Sequence, residues 1–378
     1  MQLVRRGDTG PIVADIRHKL VTLGLLPDAG CPEQFDELCD RAVRHFQQQR
    51  GLTVDGLVGE QTYLTLDEAR WRLGDRTLYY YINHPFIGDD VVALQRRLNE
   101  LGFNAGRVDG VFGVDTDAAL REFQRNYGVP ADGTLGLATI RAIEQLRRTV
   151  TGGEHARLRE QEALRRTGYR LTGTVVIIDP GHGGEDDGFS DGHLSEGTIV
   201  YDVAARLRGL LAASGAMPVL TRGPETWSSD RDRAAFANMA EGDLLISLHC
   251  ESSPRSSIAN GIASYYFGSG TGGGSVAGER LADLVQRELV ARTGLLDCRT
   301  HGKSWELLRL TRMPAVRIEV GYLSNPGNAA LLAEPGFRHQ LADSIFVAIQ
   351  RLYTPEDHDP GTGQLVLTAR PDVSLQVV

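Results

Sequence analysis

The chain has 378 residues and a formal charge of −9, from 40 Lys plus Arg against 49 Asp plus Glu. Hydrophobic residues make up 41% and charged residues 24%, a globular composition that excludes wholesale disorder, and the acidic balance argues against a general nucleic-acid binder, whose phosphate ligand wants a basic face. Cys31, Cys39, Cys250 and Cys298 are too few for a disulfide-framed secreted scaffold, and at roughly 150 residues per domain the length implies two or three domains.

The N-terminal stretch MQLVRRGDTGPIVADI has no apolar core behind its arginines and does not read as a signal peptide. No window approaches the ~18 apolar residues of a membrane span, so no transmembrane segment is expected. The expected location is cytoplasmic, with the cell wall as the alternative if another route exports the chain. Next comes an internal repeat. Phe46, Gln47, Gly51, Asp55, Gly56, Gly59 and Thr62 recur 77 residues later as Phe123, Gln124, Gly128, Asp132, Gly133, Gly136 and Thr139. Val91, Leu94, Leu98 and Leu101 follow helical spacing, Gly102 sits where a helix ends in the left-handed conformation, and Asp-Gly at 55–56 and 132–133 marks tight turns. Residues 1–75 and 86–147 are therefore expected to form two small all-α modules. Residues 148–172 read as an Arg-rich linker helix, either a solvated connection or a basic contact surface.

From Thr174 the pattern changes. VVIID (175–179), MPVLTR, DLLISLHC, GIASYYFG and AVRIEVGY read as strands that alternate with helical stretches. This predicts an α/β domain over 173–354 with a mixed, largely parallel sheet flanked by helices. A loose tail is expected at 355–378. The Gly272–Gly274 run lacks a phosphate-cradle context and reads as a mobile loop.

Four residues carry chemistry: His182 in DPGHGG, Glu196 in HLSEG, His249 in ISLHC and Glu319 in RIEVG. Three lie at or just after strand C-terminal ends, where open α/β sheets place their sites. Two histidines and a glutamate form a set typical of catalytic zinc, which leaves the fourth position open for water. A carboxylate that is not a ligand then serves as proton acceptor and donor, and Glu319 suits that role. Taken singly, each has a structural explanation: a hydrogen-bonded histidine at a strand end, or a first-turn glutamate favoured by the helix dipole. Glu319 among apolar neighbours is harder to explain that way, since an unpaired buried carboxylate is costly. His193 is the rival ligand.

IIDPGHGGEDDG, TR…RDRAAFAN, DLLISLH and MPAVRIEVGYLSNP, in this order, resemble the zinc-dependent N-acetylmuramoyl-L-alanine amidases of the amidase type 3 family. The likeness covers about residues 174–352. It implies Zn2+ held by His182, Glu196 and His249, with Glu319 as catalytic glutamate. The implied reaction is hydrolysis of the amide between the muramic lactyl group and L-alanine, in peptidoglycan or muropeptides. The repeats resemble peptidoglycan-binding type 1 domains, and two repeats before such a domain resemble an actinobacterial arrangement.

Three departures stand out. Cys250-Glu251 follows the histidine where the family has Ala-Asn. Glu251 either adds a negative charge beside the metal or turns to solvent as the strand ends. The first repeat has CPEQFDELCD where the second has RVDGVFGVDT, so it either lacks a glycan groove or serves a structural or protein-binding role. Glu185 and Asp187 acidify the loop after His182, as solvent-facing charges or as a bias on metal uptake. With Glu251, the residues Arg222, His301 and Asn325 complete the candidates for substrate binding or support of the site, and Trp305 joins His301 as a candidate cleft residue. Free thiols are expected at Cys31 and Cys39.

The expected partners are peptidoglycan, a muropeptide or a lipid-linked precursor, with a protein of cell-wall synthesis as a further candidate and no nucleic acid. The competing function is a cytoplasmic regulatory or binding protein of peptidoglycan synthesis built on an amidase scaffold.

Overall fold

The computed structural model describes residues 3–28, 33–82, 84–146, 171–190, 194–252, 257–268, 273–354, 359 and 361–364. The proposed linker helix, His193, Cys31 and most of the tail therefore lie outside the described residues. Two compact units are present. One contains Met1–Arg166 with Tyr266–Glu279 and His301–Arg312; the other contains Thr167–Tyr265, Arg280–Thr300 and Met313–Val378. No helix among the described residues is long and apolar enough to cross a membrane.

In the first unit, helices α1 (Pro11–Thr22), α2 (Glu37–Arg50) and α3 (Glu60–Ala69) form one repeat, and α4 (Asp89–Glu100), α5 (Val114–Tyr127) and α6 (Leu137–Leu146) the other. Each has its own apolar core, with Phe46 and Phe123 at the repeated position, both 1% exposed. Gly51 and Gly128 end α2 and α5 in the left-handed conformation, at φ 66° and 88°.

A buried glutamine clasps each Asp-Gly turn. Gln124 Nε2 donates to Asp132 Oδ1 (2.9 Å), Thr134 O (3.0 Å) and Thr139 Oγ1 (3.1 Å), and its Oε1 accepts from Gly133 N (2.9 Å). Gln47 repeats this on Asp55, Leu57, Thr62 and Gly56. Gln95 does the same on Asp109, Val111, Thr116 and Gly110. The clasp therefore occurs twice within the second repeat.

In the first repeat the place of Gln95 is taken by Arg17. Its guanidinium donates to Gln34 O (3.1 Å), as Gln95 does to Val111 O, and it pairs with Asp36 (3.0 Å). Cys39, buried and free, stands where Thr116 stands, and its thiol is pushed up to about 11 by burial. The described first-repeat segment thus replaces the clasp with an ion pair. Between the repeats Arg50 grips Asp89 with two bonds of 2.7 and 2.8 Å. Arg309, from the C-terminal part of this unit, bridges Glu68 and Asp109 O.

In chain order the α/β part carries β1 (Val175–Pro180), α7 (Glu196–Ala213), β2 (Met217–Leu220), α8 (Asp230–Met239), β3 (Leu244–Glu251), β4 (Ile262–Phe267), α9 (Val276–Thr293) and β5 (Asp297–Lys303). After α10 (Glu306–Leu310), which belongs to the first compact unit, come β6 (Ala315–Tyr322), α11 (Pro326–Ala333) and α12 (Pro335–Leu352). The sheet order is β2-β1-β3-β6-β4-β5. The pairs β1–β2, β1–β3 and β3–β6 are parallel. The apolar runs of β1 and β3 are buried on both faces, as parallel strands covered by helices require. Helix α7 packs on β1, β2, β3 and α12. The strand β5 and helix α10 carry the THGKSWELL segment. DCRTHGK gives no apolar alternation because β5 is the last strand of the order, with exposed and half-buried residues throughout.

Candidate active site

Strand β1 ends in Asp179-Pro180, and the chain turns at once into Gly181-His182. Asp179 is fully buried and accepts from Thr221 Oγ1 (2.5 Å), Ser247 Oγ (2.7 Å) and Arg233 Nη1 (2.8 Å). Burial works against its charge, but the Arg233 charge and these donors hold its carboxyl below the ordinary range. Arg233 also donates to Pro180 O (2.8 Å) and His182 O (2.7 Å). Arg222 donates to Pro180 O (2.7 Å), Gly181 O (2.8 Å) and Gly197 O (3.0 Å). Two buried arginines therefore hold the loop carbonyls, which keeps His182 at φ 57°, a left-handed conformation that a non-glycine residue adopts only when its surroundings impose it.

Glu196 opens α7. Ser195 caps the helix by accepting from Thr198 N, and the first turn projects Glu196 back to the strand ends. Its Oε1 lies 3.1 Å from His182 Nε2 and 3.1 Å from His249 Nδ1, and accepts from Cys250 N at 2.9 Å. One ligand atom from each of His182, Glu196 and His249 lies within 4.8 Å of the others. Burial alone would raise the Glu196 pKa, but the hydrogen bonds and charges of the two histidines outweigh it and hold the carboxyl far below its ordinary value. Burial, aided by the Arg317 charge, pushes His249 down to about 4, so its imidazole is neutral at pH 7. A neutral imidazole beside an ionised carboxylate is the state a metal ligand set needs.

Two glycines make room. A Cβ on Gly181 would come within 2.1 Å of the His249 ring. One on Gly188 would meet Glu196 Oε2 at 2.6 Å and the His182 ring at 2.8 Å.

Glu319 stands opposite His249 in the β3–β6 register. It is 2% exposed. Arg317, two residues earlier on the same strand face, reaches its Oε1 through Nε and Nη2, both at 2.9 Å. Glu319 Oε2 is buried and has no hydrogen-bond partner among the described residues. Burial pushes the carboxyl up to about 7; Arg317 pulls against this, and the charges of Glu251 and Glu196 add to the rise.

The register slips between His249 and Glu251, so β3 does not keep simple alternation to its end. Glu251 is half-buried, and its side chain accepts from Ser252 N (3.0 Å). Its charge acts on Glu319. Asp186 Oδ2 lies 2.9 Å from His182 Nδ1 and accepts from the Trp227 indole at 3.2 Å.

Asn325 is placed as the cap of α11, accepting from Gly327 N and Asn328 N, both at 3.0 Å, and donating to Ser257 O. His301 is exposed on β5 and Trp305 precedes α10; both belong to the other compact unit. Sequence reasoning missed Asp179, Arg233, Arg317 and Trp227 as parts of the site, and placed Asp186 near the cation only as a charge, not as the partner of His182. Arg317 had a signal, since alternation puts it on the face of Glu319.

The family described as N-acetylmuramoyl-L-alanine amidase matches residues 176–351, and the peptidoglycan-binding domain matches 9–66 and 87–143. The N-acetylmuramoyl-L-alanine amidase CwlM of Mycobacterium tuberculosis is 46% identical over 373 residues, covering 95% of this chain and 92% of that protein. The chain belongs to the N-acetylmuramoyl-L-alanine amidase family. A germination-specific amidase of the same family name, from Bacillus subtilis, is 32% identical over 207 residues, covering 50% of this chain and 84% of the relative. The catalytic domain of the amidase CwlV from Bacillus (Paenibacillus) polymyxa var. colistinus is 31% identical, with a TM-score of 0.43, over 47% of this chain and 96% of that structure.

Proposed function

We propose that this chain is a zinc-dependent hydrolase that cleaves the lactyl–L-alanine amide of peptidoglycan or muropeptides. One observation carries the reading. A buried carboxylate, Glu319, keeps one oxygen unpaired on the strand beside the His182–Glu196–His249 cluster. Buried polar atoms are normally satisfied, and an orphaned one asks for a role.

The donors fit zinc: two imidazoles and one carboxylate, converging and bare of obstructing Cβ atoms. Bound there, zinc would supply a water of lowered pKa and polarise the substrate carbonyl. The chain supplies the proton transfers. Glu319 takes the attacking water's proton on Oε2 and returns it to the leaving amine nitrogen. Arg317 holds Oε1, which fixes the direction in which Oε2 points. A pKa pushed up to about 7 lets one carboxyl accept and release a proton near neutrality. Asp186 fixes the His182 ring from its far nitrogen, as carboxylates do for metal-bound imidazoles.

The two repeat matches support a polymeric, muropeptide or lipid-linked ligand of peptidoglycan type. The test is metal content together with product masses from a defined muropeptide. The expected result is one zinc per chain, lost in His249→Ala, and release of the intact stem peptide. A zinc-loaded protein that frees no peptide would end this reading.

A further inference from the structure

Trp227 is 57% exposed, yet its indole is tied to the site. Its indole N–H is held on Asp186 Oδ2 at 3.2 Å, and the same oxygen lies 2.9 Å from His182 Nδ1. Its backbone rests on the turn that carries His182. A Cβ on Gly183 would strike Thr226 O at 2.4 Å, and one on Gly184 would crowd Trp227 N at 3.2 Å. Both glycines have positive φ, 119° and 61°. An open cleft of about 670 Å³ lies here, lined by Gly184, Glu185, Asp186, Glu225 and Trp227. Trp227 is its one aromatic lining residue.

We propose that Trp227 is the sugar platform of this site, its indole face stacking on the muramoyl pyranose ring while Glu185 and Glu225 accept hydrogen bonds from the glycan. The inference rests on the amidase reading above and assigns part of its substrate specificity. In that substrate only a lactyl ether separates the sugar ring from the scissile carbonyl. A carbonyl placed at the His182–Glu196–His249 cluster therefore puts the ring beside one of the three side chains. On the His182 side stands a rigid aromatic face, two hydrogen bonds from the imidazole. Pyranose rings present a C–H face that packs on indole, and tryptophan adds large contact area at small entropic cost with a polar handle to fix it. The neutral glycan tolerates the acidic lining, and its hydroxyl and acetamido N–H groups need acceptors, which Glu185 and Glu225 are.

The experiment uses the full chain, zinc-loaded, with two probes that lack the scissile amide. One is the N-acetylglucosamine–N-acetylmuramic acid disaccharide with its lactyl carboxyl reduced to the alcohol, which keeps it neutral like the substrate glycan, and the other is the free stem peptide. Binding is read by tryptophan emission and by NMR line shifts, without turnover. The disaccharide is expected to change the wild-type emission, and that change should vanish in Trp227→Phe, which keeps a stacking ring. Trp227→Ala is expected to bind the disaccharide about 3- to 10-fold more weakly, with stem-peptide binding unchanged. Both variants lose the indole N–H and shift zinc affinity equally, so the difference between them reads the ring face alone. With a muropeptide, Trp227→Ala should raise KM by a similar factor and keep kcat near that of Trp227→Phe. Equal disaccharide affinity in wild type and Trp227→Ala overturns the proposal, as does a Trp227 dependence shown by the stem peptide instead. A protein that binds sugar through Trp227 but cleaves nothing defeats the amidase reading and leaves the platform standing.

Discussion

The repeats and the α/β site each bury a polar side chain between elements, and they treat it in opposite ways. Gln124 spends every donor and acceptor of its amide: four hydrogen bonds close one Asp-Gly turn. Glu319 is as deeply buried, is an ionisable acid, and leaves Oε2 with no partner among the described residues. A fully satisfied neutral amide specifies a loop and stabilises it. A half-satisfied carboxylate costs stability, and a fold keeps such a group where it does chemistry. The comparison thus sorts buried polar residues by what their removal should damage.

The largest expected effect is on turnover. Glu319→Gln keeps the shape and an acceptor for Arg317 but cannot take a proton. The peptide-release rate from a muropeptide should fall by about 10²- to 10⁴-fold, with zinc content unchanged. A loss smaller than tenfold would place the proton transfers on another group and break the contrast with Gln124.

The next effect is on stability against pH, in protein stripped of metal by a chelator. The Glu319 carboxyl rises from 4.5 unfolded to about 7 folded. Between those values the folded chain binds more protons than the unfolded one, so stability falls as pH rises through the window. The contribution is complete below pH 4.5 and lost above 7. Glu319→Gln has no such loss, so its stability relative to wild type should climb across this window by on the order of a few kcal/mol. Paired denaturant titrations at pH 4.5 and 8 read the difference, and a flat difference would refute the buried, unpaired state of Glu319.

For the clasp the damage should be structural. Gln124→Ala strands Gly133 N and removes a partner from Asp132 and Thr139, at a cost of about 2–3 kcal/mol. Amide exchange around 132–139 should accelerate accordingly, while muropeptide cleavage in the α/β part stays within about twofold. Exchange measures this better than a melting midpoint, because a chain of two compact units need not unfold in one step.

What the sequence makes legible follows from these same differences. VVIID and DLLISLH announce buried parallel strands because apolar residues crowd both faces, VRIEV does so through Val316, Ile318 and Val320 on one face, and the chemistry-bearing residues then stand out. The repeat is visible at an offset of 77 because Phe46, Gln47, Asp55 and Gly56 recur together. The recurrence within the second repeat is harder to see, since Gln95 reaches Asp109 across 14 residues and Gln124 reaches Asp132 across 8. The supports of the site are hidden for a different reason. Arg233 meets Asp179 across 54 residues and Trp227 meets Asp186 across 41, contacts that no local period encodes. Strand β5, with its polar sequence, gives no pattern at all.

The smallest effect tests the exception within the comparison. The first repeat has Pro32-Glu33 where the second has Asp109-Gly110, so a glutamine at position 17 has no aspartate acceptor at position 32. Arg17 instead donates to Gln34 O and pairs with Asp36, whose side chain is 30% exposed while Arg17 is 5% exposed. Asp36 also caps α2 by accepting from Cys39 N at 2.8 Å. Arg17→Gln should therefore cost only about 1 kcal/mol, because the freed aspartate keeps its cap and turns toward water. A double-mutant cycle with Asp36→Asn measures the coupling, expected at about 1 kcal/mol or less. A coupling as large as the loss in Gln124→Ala would mean that the ion pair is an equal substitute for the clasp. A small one means that the ion pair of the first repeat is a weaker latch than the fully satisfied clasp of the second.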